Sequence, residues 1–279
     1  MSVAALELTL PEGEELAVTT DDGASLAVTV AGEGLPVVFA HGWTNNRSVW
    51  APVARSVAAA GHRVVLYDQR GHGASTFGTA PVTIDRLGDD LAAVLDRVEV
   101  DNALLVGHSM GGFTAMAFAC EHAGELSARV RGLALVSTAA HGVGLGRLGP
   151  VASQVLGPAI DWAMARPRTG GVLARHVLGR RPSESHISTT RAMFVATPTH
   201  VRVGCFNAFG TMDLRSALAQ VDVPTVVLVG SRDRLTPPRR GRAVAASIPN
   251  ARFEVLPDAG HMLPLERAAE VAAAVLSLR

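Results

Sequence analysis

The sequence predicts an α/β fold: an eight-stranded, mostly parallel sheet flanked by helices, with a helical cap insertion. Short apolar runs alternate with helical stretches, a turn signal joins the first two runs, and the alternation stops once, in the middle of the chain. The predicted strands are residues 16–20, 25–30, 36–40, 64–67, 103–106, 132–136, 225–229 and 253–256.

The first two strands form a predicted antiparallel hairpin. Alternating residues lie on both sides of Asp21-Asp22-Gly23-Ala24, and an Asp-Gly pair between alternating strands is typical of a tight turn. The later runs are almost continuously apolar, which is the pattern of strands buried on both faces. Helices between such strands imply right-handed crossovers, so we expect the rest of the sheet to be parallel.

The interruption covers residues 139–217 and contains helical segments without a strand signal. We therefore predict a core of residues 1–138 and 218–279, with residues 139–217 forming a lid. Between residues 161 and 202 of the lid, arginines outnumber carboxylates, since only Asp161 and Glu184 oppose Arg166, Arg168, Arg175, Arg180, Arg181, Arg191 and Arg202. Most such charges are solvated, and attraction to an anionic substrate or lipid surface is the alternative.

Composition excludes several classes of protein. The 25 basic and 25 acidic side chains cancel, so no net field attracts nucleic acid. All basic residues are arginine, which excludes a Walker A phosphate loop and a Schiff-base lysine. The two cysteines, Cys120 and Cys205, lie far apart and do not suggest a disulfide scaffold.

The sequence also supports expectations about the location of the protein and its ligands. Residues 1–15 are acidic rather than basic, which does not suit a secretory signal, and no apolar run reaches transmembrane length. We expect a cytoplasmic protein without integral membrane association. The histidines form no metal-binding motif, so neither a metal nor a cofactor is expected. A homodimer is left open.

The strongest functional signal is Gly107-His108-Ser109-Met110-Gly111, which follows a predicted strand and begins a helix. This G-x-S-x-G pattern in this context indicates a nucleophile elbow. A strand-to-helix turn this tight requires small residues two positions either side of the serine, and Gly107 and Gly111 meet that requirement. Ser109 is therefore the candidate nucleophile.

A serine nucleophile requires a base and an acid that orients it. Asp233 follows the strand at 225–229, and His261 lies in a glycine-containing loop after the last strand. Both positions are at carboxyl ends of strands, where open α/β sheets bind their ligands. Three rival acids remain open, namely Asp213, Asp222 and Asp258.

Acyl transfer also requires N–H donors for the developing oxyanion. Met110 follows the nucleophile and supplies one backbone donor, and Trp43, in the loop after the third strand, is predicted to supply the second. In that loop His41 and Gly42 are predicted to support the backbone, His41 as a buried, hydrogen-bonded residue. His108 is interpreted as a packing or hydrogen-bonding residue.

Taken together, these motifs resemble the α/β-hydrolase superfamily over nearly the whole chain. Besides the elbow, residues 68–75 are similar to the family's D-x-R-G-x-G-x-S loop, and His41-Gly42-Trp43 resembles its oxyanion loop. We interpret Asp68 and Arg70 as structural residues that satisfy backbone groups. Epoxide hydrolases and haloalkane dehalogenases of this fold carry aspartate at the elbow, so Ser109 argues against both.

The resemblance implies a serine carboxylesterase or a haloperoxidase-like esterase with a lid, acting on a small apolar ester by a Ser-His-Asp mechanism. Lactone hydrolysis, C–C bond hydrolysis and acyl transfer use the same triad and stay open. So does a different class, a ligand-binding receptor with vestigial hydrolase activity.

Overall fold

The computed structural model describes residues 6–142 and 149–278. Within them, eight strands form one sheet in the order β1-β2-β4-β3-β5-β6-β7-β8. The strands are β1 Glu14–Thr19, β2 Ser25–Ala31, β3 Pro36–Ala40, β4 Arg63–Tyr67, β5 Ala103–His108, β6 Val130–Val136, β7 Thr225–Gly230 and β8 Arg252–Leu256. Each observed boundary lies within two residues of the predicted one. The predicted fold class is confirmed.

Strand β2 is the antiparallel element of the sheet, since it pairs antiparallel with both β1 and β4. The turn between β1 and β2 places Gly23 at φ +84°, a conformation that glycine adopts without steric cost. All other pairings are parallel. Their carboxyl ends therefore meet at one edge of the sheet.

Helices cover both faces of the sheet. They are α1 Ala51–Ala59, α2 Ile84–Arg97, α3 Met110–Glu121, α4 Ala123–Arg129, α5 Gly149–Ala165, α6 Pro167–Arg175, α7 Glu184–Ala196, α8 Thr199–Thr211, α9 Pro238–Ser247, α10 Leu263–Glu266 and α11 Ala268–Leu276. None of the helices in the described ranges combines the length and the apolar character needed to cross a bilayer.

Alternate residues of each central strand enter two separate apolar cores. Val38 of β3 packs in the core that includes α2 and α3, whereas Val37 and Phe39 pack in the core that includes α1 and α11. This burial on both faces explains why the central strands are apolar at nearly every position.

Helices α5 to α8 lie between β6 and β7, where the sequence predicts the cap. Residues 143–148 of the predicted lid lie outside the described residues. The helical insertion is confirmed, while the division into a core and a lid at residues 139 and 217 stays a prediction.

Candidate active site

Ser109 lies between β5 and α3 in a strained conformation. Its φ of 52° and ψ of −113° are unusual for a residue with a Cβ atom, and such conformations cost about 1–3 kcal/mol. Its backbone is fixed on both sides, because Ser109 N donates to Val136 O at 2.9 Å and Ser109 O accepts from Thr138 Oγ1 at 2.9 Å. The side chain is left facing the cavity above the sheet.

The two elbow glycines allow this turn for steric reasons. A Cβ atom on Gly111 would overlap the carbonyl group of Ala40 and lie 2.8 Å from His41 O. A Cβ atom on Gly107 would overlap the Gly111 carbonyl. Neither position has room for a side chain while α3 starts this close to β3.

Asp233 and His261 are joined by a buried hydrogen bond. Asp233 Oδ2 lies 2.8 Å from His261 Nδ1, and both side chains are almost fully buried. Asp233 Oδ1 accepts from the backbone N–H groups of Leu235 and Thr236, at 2.9 and 2.8 Å. Two backbone donors therefore fix the carboxylate independently of its contact with the imidazole.

Burial alone would raise the pKa of Asp233, but the electrostatic interaction with His261 and the hydrogen bonds from His261 and Thr236 hold that pKa below its ordinary value. An ionised Asp233 accepts a hydrogen bond from the N–H at Nδ1 of His261. This leaves Nε2 as the free basic nitrogen. This is the tautomer that a general base for serine requires.

The His261 loop is held by two further backbone contacts. His261 O accepts from His108 Nε2 at 2.9 Å, and His261 N donates to Val177 O at 2.7 Å. His108 is fully buried, and desolvation lowers its pKa to about 3, so it is a neutral donor. The packing and hydrogen-bonding role predicted for His108 agrees with these contacts.

Ser109 and His261 line one cavity of about 510 Å³, together with Trp43 and Met262. Its walls are mainly apolar and include Ile160, Met164, Leu173, Val177, Phe194, Val203, Phe206 and Leu235. The volume is within the usual range for small-molecule sites. The structure thus brings the predicted nucleophile and base to the same cavity floor.

The backbone N–H groups of Trp43 and Met110 form no hydrogen bond with any described residue. Met110 begins α3, whose first N–H groups have no partner within the helix. Trp43 lies in the loop after β3, beside Thr44, whose positive φ of 61° turns the chain. Two unpaired donors beside the elbow are what an oxyanion site needs.

His41 supports this loop from below. The fully buried ring lies 2.8 Å from Gly42 O through Nδ1, and its Nε2 accepts from Gln69 N at 2.9 Å. Desolvation lowers the pKa of His41 to about 4, so the ring is neutral. A Cβ atom on Gly42 would lie 2.7 Å from His108 Nδ1, which explains the glycine there.

Two of the three rival acids form other contacts. Asp213 pairs with Arg215 at 2.6 Å, and Asp258 lies 3.8 Å from Arg232 and 3.9 Å from Arg180. Another alternative is that Asp233 bridges its flanking residues Arg232 and Arg234. Among the described side chains, Asp233 forms no ion pair with either arginine.

One prediction about a charged residue is wrong. Asp68 does satisfy backbone groups, accepting from Arg47 N and Ala74 N, but Arg70 instead binds the carboxylates of Asp22 and Asp90. Most of the lid arginines are exposed, as predicted, whereas Arg202 is buried and paired with Asp161. Asp22 lies 48 residues from Arg70, and Asp161 lies 41 residues from Arg202, so neither pair leaves a local pattern in the sequence.

Sequence reasoning also missed Thr236. Its hydroxyl donates to Asp233 Oδ2 at 2.8 Å and lies 3.2 Å from His261 Nδ1. The available signal was a threonine three residues after the candidate acid, a spacing at which an aspartate side chain accepts from nearby backbone and hydroxyl groups.

In the described ranges, no three His, Cys, Asp or Glu side chains are arranged to hold a metal ion. The reactive groups that the cavity floor does bring together are the Ser109 hydroxyl, the His261 imidazole with its carboxylate partner, and the backbone N–H groups beside the elbow.

Residues 36–268 match the family of the alpha/beta hydrolase fold, and the chain belongs to that family. It is a hydrolase, as the sequence predicts, and the proteins it resembles include a non-heme chloroperoxidase and esterases.

Individual relatives differ in activity. The chain is 29% identical to the non-heme chloroperoxidase CPO-A1 of Kitasatospora aureofaciens, over 87% of this chain and 90% of that protein. It is 26% identical to 3-oxoadipate enol-lactonase 1 of Acinetobacter baylyi, over 92% and 94%. The structure of a thermophilic esterase from Thermogutta terrifontis is similar with a TM-score of 0.79 and 27% identity, covering 95% of this chain and 97% of that one.

Proposed function

We propose that this protein hydrolyses carboxylic esters of small, uncharged, apolar substrates through an acyl-enzyme on Ser109. The observation that carries the proposal is the buried 2.8 Å bond between Asp233 and His261, on the floor of the cavity that Ser109 also lines. An isolated serine hydroxyl is a poor nucleophile, and an oriented imidazole beside it supplies the missing base.

The reaction proceeds in two steps. His261 Nε2 takes the Ser109 proton as Oγ attacks the ester carbonyl, and the N–H groups of Trp43 and Met110 stabilise the oxyanion. His261 then returns the proton to the departing alcohol, leaving the acyl group on Ser109. A water molecule deprotonated by His261 releases the acid by the reverse sequence.

The cavity favours an uncharged substrate. Arg202 is the cation among its described lining residues, yet its two terminal nitrogens are bonded to Asp161, Thr199, Thr197 O and Phe194 O. A substrate carboxylate would have to displace these partners. The remaining wall is mainly apolar, so binding is driven by burial of an apolar acyl or alcohol group.

Lactone hydrolysis is the second candidate. It needs the same nucleophile, base and oxyanion donors, and the chain's similarity to an enol-lactonase favours including it. The two activities are separated by a substrate panel of p-nitrophenyl esters with acyl chains of graded length and of lactones of matched size.

The deciding experiment compares wild-type protein with Ser109→Ala on p-nitrophenyl butyrate, with Ser127→Ala as control. Ser127 is exposed on α4, away from the cavity. We expect Ser109→Ala to lose turnover by a factor of about 10⁶ and to escape labelling by a fluorophosphonate, while the control keeps both. Turnover of the alanine variant above trace level contradicts the assignment. Tight ligand binding with near-zero wild-type turnover favours a receptor.

A further inference from the structure

The lid holds the side chain of the residue whose backbone N–H is the proposed oxyanion donor. Trp43 extends from the loop after β3 into the lid, where its Nε1 donates to Arg202 O of α8 at 3.1 Å. Its ring packs against Phe194, Phe206 and Phe209, with ring centroids 5.8 to 6.3 Å apart. The position of α8 therefore fixes the position of Trp43.

Arg202 in turn fixes α8. Its guanidinium, with 8% of the side chain exposed, forms an ion pair with Asp161 of α5. The same group donates to Phe194 O and Thr197 O at the carboxyl end of α7 and lies over the Phe194 ring at 4.5 Å. One side chain thus connects three lid helices directly above Trp43.

We propose that Arg202 is a positioning residue for catalysis, which sets the Trp43 N–H in the oxyanion site by holding α8 against the Trp43 indole. The inference rests on the proposed function, because it requires the Trp43 amide to bind the oxyanion. Oxyanion donors act only when placed correctly, and a shift of about 1 Å can cost up to 100-fold in rate. The guanidinium itself does not contact the reacting atoms.

The test compares Arg202→Met with Arg191→Met. Arg191 is a matched lid arginine, which donates to Met164 O and Ala165 O at the end of α5 but lies outside the cavity wall and does not bind Trp43. We expect Arg202→Met to lower kcat by about 10- to 100-fold with KM nearly unchanged, and Arg202→Lys to restore part of the loss. Arg191→Met should lower Tm and keep kcat.

A transition-state mimic separates positioning from simple destabilisation. A trifluoromethyl ketone forms an oxyanion on Ser109, so its affinity should fall in Arg202→Met by the same factor as kcat/KM. Where Arg202→Met does not fold, Trp43→Phe keeps the aromatic packing and removes the Nε1 donor, and it should show the same loss. In the double variant the losses should not add.

Wild-type kcat in folded Arg202→Met or in Trp43→Phe overturns the inference. So does a loss of kcat without loss of ketone affinity. Failure of the proposed function has a different signature, since Ser109→Ala would then retain turnover whatever the Arg202 variants do.

Discussion

Asp233 contacts His261 through one carboxylate oxygen, and Oδ2 lies 2.8 Å from Nδ1. The other oxygen is occupied by two backbone N–H groups. The orientation of the carboxylate is thus fixed, and this orientation favours the His261 tautomer with its proton on Nδ1.

Asp233→Asn should lower kcat by about 10⁴-fold with little change in KM. An amide NH₂ facing Nδ1 favours the tautomer with the proton on Nε2, which then cannot accept the serine proton. Steady-state kinetics on p-nitrophenyl butyrate measure the effect.

Asp258→Asn is the control for that prediction. Asp258 is a rival acid on an exposed loop at φ 60°, a conformation that asparagine tolerates well, and we expect kcat within about twofold of wild type. The reverse result, with Asp258→Asn inactive and Asp233→Asn active, would reassign the acid.

Gly111→Ala should destabilise the protein by about 1–3 kcal/mol, because the new Cβ would overlap the Ala40 carbonyl and force α3 away from β3. Gly124→Ala is the matched control. Gly124 lies in α4, and a Cβ atom added there would meet no atom within 4 Å, so alanine should stabilise by about 0.5–1 kcal/mol. Urea unfolding measures both, and equal effects would contradict the steric argument.

Much of this arrangement follows from local sequence. Alternation locates the first two strands and short apolar runs locate the other six, because burial on both faces leaves a continuous pattern in the central strands. The elbow is recognisable because its glycines are required within five residues. Asp233 and His261 were selected from chain order and from their loops at strand ends. Apart from the chain order, each of these signals is contained in a short segment.

Apart from the Thr236–Asp233 bond, which spans three residues, the contacts that escaped prediction join distant segments. The Trp43 indole meets Arg202 across 159 residues, and Arg70 meets Asp22 across 48. The residues adjacent in sequence do not distinguish a buried arginine from a solvated one. The difference arises only when the fold brings a distant carboxylate to the guanidinium. The lid arginines illustrate this, since Arg168 is exposed and Arg202 is buried within the same insertion.

Stability should fall as the pH drops below 6.5, the ordinary pKa of histidine. Desolvation lowers the pKa of His41 to about 4 and those of His72 and His108 to about 3. Between pH 6.5 and these values the unfolded chain binds protons that the folded protein does not, so acid favours unfolding. Each histidine contributes up to about 1.4 kcal/mol per pH unit.

His108→Gln isolates one of these contributions. The glutamine amide can replace the donor to His261 O but does not titrate. Between pH 6 and pH 4 the free energy of unfolding should therefore depend on pH less steeply, by about 1.4 kcal/mol per unit. Urea unfolding across this range measures the slope, and identical slopes for both proteins would show that His108 is protonated in the folded state.

Arg70→Met should destabilise the fold by about 3–5 kcal/mol. The Arg70 side chain is fully buried, bonds both oxygens of Asp90 at 2.6 Å and lies 2.9 Å from Asp22, so its removal leaves two buried carboxylates without their cation. Arg86→Met is the control, because Arg86 pairs with the exposed Asp21 and solvent screens that pair. Thermal unfolding should show a large drop in Tm for the first variant and almost none for the second. A small drop in Tm for Arg70→Met would contradict the prediction. If adding Asp90→Asn to that variant also failed to raise Tm, water would be reaching the cluster and replacing the guanidinium.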